Sequence, residues 1–491
     1  VVTHHPETPW RPRLHFTPSQ GWLNDPNGLV TLDGEHHLFY QHHPDADVWG
    51  PMHWGHAVST DLVRWEHLPI ALRPDGHGWV YSGSAVVDAD GTAGFGAGAL
   101  VAVFTHADEA GQSQSLAWSA DRGRTWTVFD GNPVLPAPAG EPDFRDPRVL
   151  RWIGPEGDHW VMALAAGRRV LLYTSPDLRR WEPACELSPT RPGGEEVIWE
   201  TPDLFPLAIE GTAEERWVLT LAAMSGAPAG GGGTCYLVGR FDGHTFVPAS
   251  PEPVWADHGP DFYAPQTWGA EVDGERIWVG WMGDWSYAQE VPSCGWRGVM
   301  SLPRRLGLVE TGEGARLTQR PVDAVDDLLV PLVTFGPGTV VETRIGADRA
   351  AALGVLHLEC FDLVVDLEVG PRSQGCLEIR AVTHDDEHVS VSYDAAERVL
   401  CLDRSRAGSA PFHRVHGGRS SVGLEPVDGV VRLRVVGDTC TTEVFGNDGT
   451  AVLSALTYPS RPGCGIHLAA SGGALRYRSV ELRGRPVHRV L

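Results

Sequence analysis

The sequence predicts an all-β protein, a five-bladed β-propeller followed by a C-terminal β-sandwich. Three observations carry this. Helical signals are scarce, while Gly (58) and Pro (38) are frequent and spread along all 491 residues, which suits short strands joined by turns. An Asp-centred unit recurs at nearly even spacing through the first half. After about residue 330 the texture shifts: Trp vanishes and alternating strands take over. The expected boundaries are 1–320 for the propeller, 321–340 for a linker with a short helix, and 341–491 for the sandwich.

The elements follow in order. Strand candidates are HHLFYQ (36–41), LVAVFTHA (100–107), HWVMALAAG (159–167), RWVLTLAAM (216–224) and RIWVGWM (276–282). Between them runs the repeat: STDLVRWEHL from Ser59, SADRGRTWTVF from Ser119, SPDLRRWEPA from Ser175, and the weaker GRFDGHTFVP. Its aspartates, Asp61, Asp121, Asp177 and Asp242, lie 60, 56 and 65 residues apart. Each unit reads as a tight Asp turn with an aromatic packed beneath it. About 320 residues at roughly 60 per unit gives five blades. The one persuasive helix is at PVDAVDDLL (321–329). Beyond it the sandwich strands read as 355–369, 388–394, 398–403, 430–438 and 441–448.

Composition narrows the function. Lys plus Arg total 39 against 63 Asp plus Glu, a formal charge of -24. Such a surface repels phosphate backbones and anionic lipids, so the expected partner is a neutral sugar, not nucleic acid or membrane. No run approaches the ~18–20 apolar residues of a membrane span. The first residues, VVTHHPETPWRPR, show no signal-peptide pattern. Acidity, low Lys content and 19 Trp favour secretion over a cytoplasmic home. The eight Cys form no C-x-x-C pair and read as free, mostly buried thiols, with one disulfide in the last third as the alternative. The pairs His4-His5, His36-His37 and His42-His43 are adjacent residues that point to opposite faces of a strand, so no metal site and no cofactor are expected.

A propeller brings its strand ends together around an axial funnel, so carboxylates from different blades can meet there. Three stand out. Asp25 in GWLNDPNG sits at the head of a Pro-Asn-Gly turn, at the end of the first strand, with Asn24 and Trp22 to hold it. Asp146 in EPDFRDPRVL follows Arg145, which favours its ionised form. Glu200 in EEVIWETPDLFPL lies beside Trp199 in an apolar run, a setting suited to a general acid. Each alone also reads as structural: a turn aspartate, a paired aspartate, a buried glutamate. Together they suit cleavage of an acetal, which needs an acid for the leaving oxygen and a carboxylate on the other side of the sugar.

At these residues the chain resembles glycoside hydrolase family 32, the invertase, inulinase and levanase family, and most of all its bacterial β-fructofuranosidases. HFTPSQGWLNDPNG (15–28), the run 38–72, YSGSAV (81–86), FRDPRV (144–149), WETPDLFPL (199–207), DHGPDFYAPQTW (257–268) and RGVMSLPR (297–304) follow the family's motifs in order. LTQRPV (317–322) and TEVFGNDG (442–449) match more weakly. The resemblance implies retention through a fructosyl-enzyme, with Asp25 as nucleophile, Glu200 as acid/base and Asp146 as transition-state stabiliser. It places Asn24, Gln41, Trp49, Ser82 and Arg145 around the fructose, Asp257 and Tyr263 towards the leaving group, and Trp281 either as an aromatic wall or in a blade core. Two departures appear. Thr201 stands where the family commonly has Cys, and its hydroxyl reads either as a donor to Glu200 or as a packing variant. His42-His43 stand where Tyr-Asn often follows the Gln, at the expected pocket rim.

The leading reading is a retaining, transfructosylating β-fructofuranosidase acting on sucrose and on levan or inulin. The alternatives are a dedicated fructosyltransferase or fructan exo-hydrolase on the same scaffold, an inverting arabinan-active propeller, a phosphorylated-sucrose hydrolase, and a propeller lectin without catalysis.

Overall fold

The computed structural model describes residues 10–155, 157–340, 358–371, 373–384, 387–408, 412–413, 415–461, 463–472 and 475–486. His4, His5 and the first three residues of the strand expected at 355–369 lie outside these.

Five antiparallel sheets make the propeller. Blade one runs Gly21–Leu32, Glu35–His43, His53–Ser59 and Glu66–Leu72; blade two Trp79–Asp88, Ala99–Asp108, Gly111–Ser119 and Thr127–Val128. Blade three is Phe144–Trp152, His159–Ala166, Arg169–Ser175 and Glu182–Leu187. Blade four is Trp199–Ala208, Glu215–Ala223, Gly233–Phe241 and Phe246–Pro248; blade five is Tyr263–Thr267, Arg276–Met282, Arg304–Thr311 and Gly314–Pro321. The first strands contact one another around the axis. Blade five closes on blade one: Trp296–Arg297 pairs in parallel with Gly21 and Trp22. Closure leaves the inner ring no open edge.

Every strand expected in the propeller is the second strand of its blade. Those of blades three to five are buried on both faces and read as nearly continuous apolar runs. The repeated aspartates sit in the turn between third and fourth strands of blades one to four. Asp61 accepts the N–H groups of Val63 and Arg64, Asp121 that of Thr125, Asp177 those of Arg179 and Arg180, and Asp242 those of His244 and Thr245.

The expected helix is a six-residue 3-10 turn, Asp323–Leu328. The rest of the expected linker is not a linker: Val330–Phe335 and Gly338–Val340 pair with Leu475–Pro486 and join the sandwich. The sandwich stacks that seven-stranded sheet on a five-stranded one over a core that includes Phe361, Leu377, Tyr393, Leu433 and Val444. All eight cysteines are free thiols; five are buried and Cys294 is exposed. No helix among the described residues is long and apolar enough to cross a membrane.

Buried charges weld the two domains. Arg304 of blade five pairs with Glu443 of the sandwich at 2.5 Å, and Glu443 also takes a bond from His15 at 2.8 Å. Arg404 of the sandwich reaches Asp261 at 2.5 Å. Removing one member of such a network strands its partner in a low dielectric.

Candidate active site

Each inner strand carries a bulge at the same level, two residues opposite one. Asn24 and Asp25 oppose Gln41, Tyr81 and Ser82 oppose Thr105, and Asp146 and Pro147 oppose Leu164. Thr201 and Pro202 oppose Leu221, and Ala264 and Pro265 oppose Gly280. A bulge re-aims side chains and accommodates a Pro that cannot donate to the ladder. Asp146 (φ 65°), Thr201 (φ 44°) and Ala264 (φ 51°) are held in the left-handed region, a strain of about 1–3 kcal/mol each. The Asp-Pro-Asn-Gly run of blade one is therefore not a hairpin turn. Asp25 lies inside a twelve-residue strand, and Gly28 (φ 54°) makes the second irregularity.

The bulges open on a funnel of about 380 Å³, lined by Asn24, Asp25, Gln41, Trp49, Tyr81, Ser82, Gln112, Asp143, Arg145, Asp146, Glu200, Met224, Trp285 and Gln289. Asp25 is buried. Ser82 Oγ donates to its Oδ2 at 2.7 Å, and the neighbouring Asn24 amide also favours the charged form. Asn24 is itself held by the Trp22 indole N–H at 2.8 Å. Burial, then the charge of Glu200, pushes Asp25 up to about 6 against the lowering effect of Ser82 and Asn24. Asp146 accepts the N–H of Thr201 at 2.9 Å. Its pKa is raised too, because burial outweighs the adjacent Arg145 and the other carboxylates add to it.

Glu200 is fixed from two sides. The Tyr263 hydroxyl donates to Oε2 at 2.5 Å; the Arg145 Nε and its terminal nitrogen reach Oε1 at 3.1 and 3.0 Å. Burial and the nearby carboxylates hold Tyr263 well above its ordinary pKa, so it stays a donor. Arg145 is steadied by Asp143 at 2.5 Å and Gln112 at 3.3 Å. Gln41 bonds Asn27 at 2.9 Å and Val80 O at 3.1 Å. Trp49 stands half out of the rim, edge-on to Trp79.

Thus Asp25, Asp146, Glu200, Asn24, Gln41, Trp49, Ser82 and Arg145 share one funnel, with Tyr263 behind Glu200. Asp257 and Trp281 stay out of the funnel, Trp281 by taking its blade-core alternative. Asp257 is buried at the domain junction, 3.3 Å from Arg304 and 2.6 Å from Ser454 Oγ. Trp281 packs in the core between Trp22 and Tyr263, and Trp285 takes the wall instead. Thr201 Oγ finds no partner among the described residues, so it does not bond Glu200. Strand alternation turns Trp199 into the core of blades three and four, away from Glu200. His42 and His43 sit behind the rim, bonded to Trp22 O and to Val48 O, which braces Trp49. Of the residues sequence reasoning missed, Tyr81 adjoins Ser82, Asp143 lies two before Arg145, and Trp285 follows Trp281 by four; Gln112, Met224 and Gln289 carry no local signal. A second cavity of about 170 Å³ at the domain junction is lined by Arg and Asp side chains paired with one another, such as Arg434 with Asp362. Among the described residues no cluster of His, Cys, Asp and Glu suits a metal.

A propeller funnel that gathers four carboxylates and an arginine over room for a sugar fits a glycoside hydrolase. The chain belongs to glycosyl hydrolases family 32: the family's N-terminal domain matches residues 15–321 and its C-terminal domain residues 339–483. It is 42% identical over 485 residues to a levanase of Bacillus subtilis (strain 168), covering 96% of this chain and 70% of that one. It is 35% identical to an extracellular exo-inulinase of Aspergillus awamori, covering 95% and 93%. The crystal structure of exo-inulinase from that organism superposes with a TM-score of 0.90 at 31% identity, covering 98% and 99%. A beta-fructofuranosidase from Schwanniomyces occidentalis complexed with fructosyl-erythritol gives 0.84 at 28%, covering 96% and 97%.

Proposed function

We propose that this chain is a retaining β-fructofuranosidase that removes terminal β-D-fructosyl residues from levan, inulin and sucrose through a fructosyl-enzyme. The observation that carries the reading is the pair Asp25 and Glu200 in one funnel, each held by its own donors. The relatives named levanase and exo-inulinase favour fructans beside sucrose, and the exo-inulinase named extracellular favours secretion.

In the first step Glu200 gives its proton to the glycosidic oxygen while an Asp25 oxygen bonds C2 of the fructosyl unit, and the leaving sugar departs as an alcohol. In the second, Glu200 takes a proton from water, the water oxygen bonds C2, and Asp25 is released. Asp146 accepts hydrogen bonds from fructosyl hydroxyls in this reading, and the Thr201 N–H bond to it supports the role. Asn24 and Ser82 hold Asp25 in the direction of attack, and orientation of this kind contributes a large part of a barrier's lowering. A sugar hydroxyl can replace the water, giving transfer.

The test is to count glucose and free fructose separately during turnover of concentrated sucrose, and fructose from levan and inulin, with the first-formed anomer read by NMR. Equal glucose and fructose means hydrolysis; glucose in excess means transfer and favours a fructosyltransferase. Release of the α-anomer would overturn retention, and no fructose from any of the three would overturn the assignment.

A further inference from the structure

The Glu200 side of the funnel is walled by two loops from different blades. Met224 begins the turn 224–232 of blade four, directly after the strand that pairs with Glu200. Trp285 and Gln289 lie on the loop that follows Arg276–Met282 of blade five. Between the loops, outside the funnel lining, sits the buried carboxylate of Asp284.

Its contacts tie the loops together. Oδ2 accepts the N–H of Gly232 at 3.0 Å, from blade four. Oδ1 accepts the N–H of Ser286 at 2.8 Å and the Ser286 hydroxyl, and its carbonyl accepts the N–H of Ala288 at 2.8 Å, all on the blade-five loop. The turn must come very close to do this. A methyl group on Gly231 would stand 1.8 Å from Oδ2, and one on Gly232 2.8 Å from the Tyr263 ring, whose hydroxyl holds Glu200. Gly230 and Gly231 are both left-handed, at φ 86° and 70°. The run Gly230–Gly233 is thus shaped around one carboxylate and one phenol ring.

We propose that Asp284 is a positioning residue that latches the glycine turn of blade four to the Trp285 loop of blade five, so that both loops hold the sugar on the leaving-group side as one rigid wall. This rests on the functional reading above, in which Glu200 marks that side. The fructosyl unit itself is held by the floor residues, which Asp284 does not touch. Loosening the latch therefore weakens capture of the whole substrate and leaves the floor intact.

The experiment compares Asp284→Ala, Gly231→Ala and the double variant with the wild type, using sucrose and levan. Each break of the latch is expected to raise KM roughly tenfold, with kcat held within about twofold. The inhibition constant of free fructose, which occupies only the floor, is expected to stay unchanged. The double variant is expected to be no worse than either single one, because both remove the same contact. Circular dichroism and Tm establish folding; if Asp284→Ala does not fold, Gly231→Ala and Asp284→Asn carry the comparison. Folded variants with wild-type KM, additive effects, or a fructose constant that rises in step with KM would each overturn the latch. If the wild type releases no fructose, the functional reading fails and the latch falls with it; if it does and the variants match it, the latch alone fails.

Discussion

Ser82→Ala tests the chemistry at its most exposed point, the charge on Asp25. In the proposed mechanism Asp25 must be ionised to attack, and burial with the Glu200 charge raises it to about 6. Ser82 Oγ opposes that shift through a 2.7 Å hydrogen bond to Oδ2 in a buried setting, while Oδ1 has no partner among the described residues. A hydrogen bond to a charged group contributes about 1.5–3 kcal/mol, or about 1–2 pH units at 1.36 kcal/mol per unit. The sign follows: losing a donor disfavours the carboxylate, so its pKa rises and more alkaline solution is needed to ionise it. The acid limb of kcat/KM should move from near pH 6 to about pH 7–8. Well below both limbs the variant should be about 10- to 100-fold slower, with the deficit shrinking as pH rises. The assay is fructose release from sucrose between pH 4 and 9. A limb that stays in place or moves to lower pH would refute the assignment of Asp25 as the group that must ionise.

The other predictions are simpler. Glu200→Gln should lower kcat on sucrose about 10²–10⁴-fold, yet spare the first step on fructosyl fluoride, whose leaving group needs no proton. Asp257→Ala should destabilise the fold by about 3–5 kcal/mol in denaturant titration, because Arg304 loses a buried partner, with KM unchanged in the folded enzyme; an altered KM at full stability would return Asp257 to the substrate. For His15, burial alone lowers the pKa, but the bonds to Asp438 and Glu443 prevail and raise it to about 9. Its stabilisation, about 3 kcal/mol from that shift, is complete below pH 6.5 and lost as pH rises through 9, so His15→Gln should flatten the alkaline fall in stability measured by denaturation.

Much of the molecule is legible in the chain. The second strands of blades two to five announce themselves because both faces are buried and the run stays largely apolar, as in RIWVGWM. The Asp turns are legible because a side chain satisfying the next few N–H groups is a local event; Asp61 and Asp177 need only their own neighbours. The three carboxylates, their order and the two-domain division are legible through motifs that lie within short stretches.

The rest depends on what lies across the funnel or across the domain junction. LNDPNG reads as a turn from its residues alone; only pairing with Glu35–His43 keeps it a bulged strand. Asp257 lies in a motif beside a site residue, yet its environment comes from Arg304 and Ser454, 47 and 197 residues away. Trp281 and Trp285 differ by one strand end, and that end decides which indole is core and which is wall. Sequence by itself determined which chemical groups are present and which strands are buried, since both follow from residue type and local period. Tertiary structure alone decided which groups meet, because five bulges at one level around an axis exist only once the ring has closed.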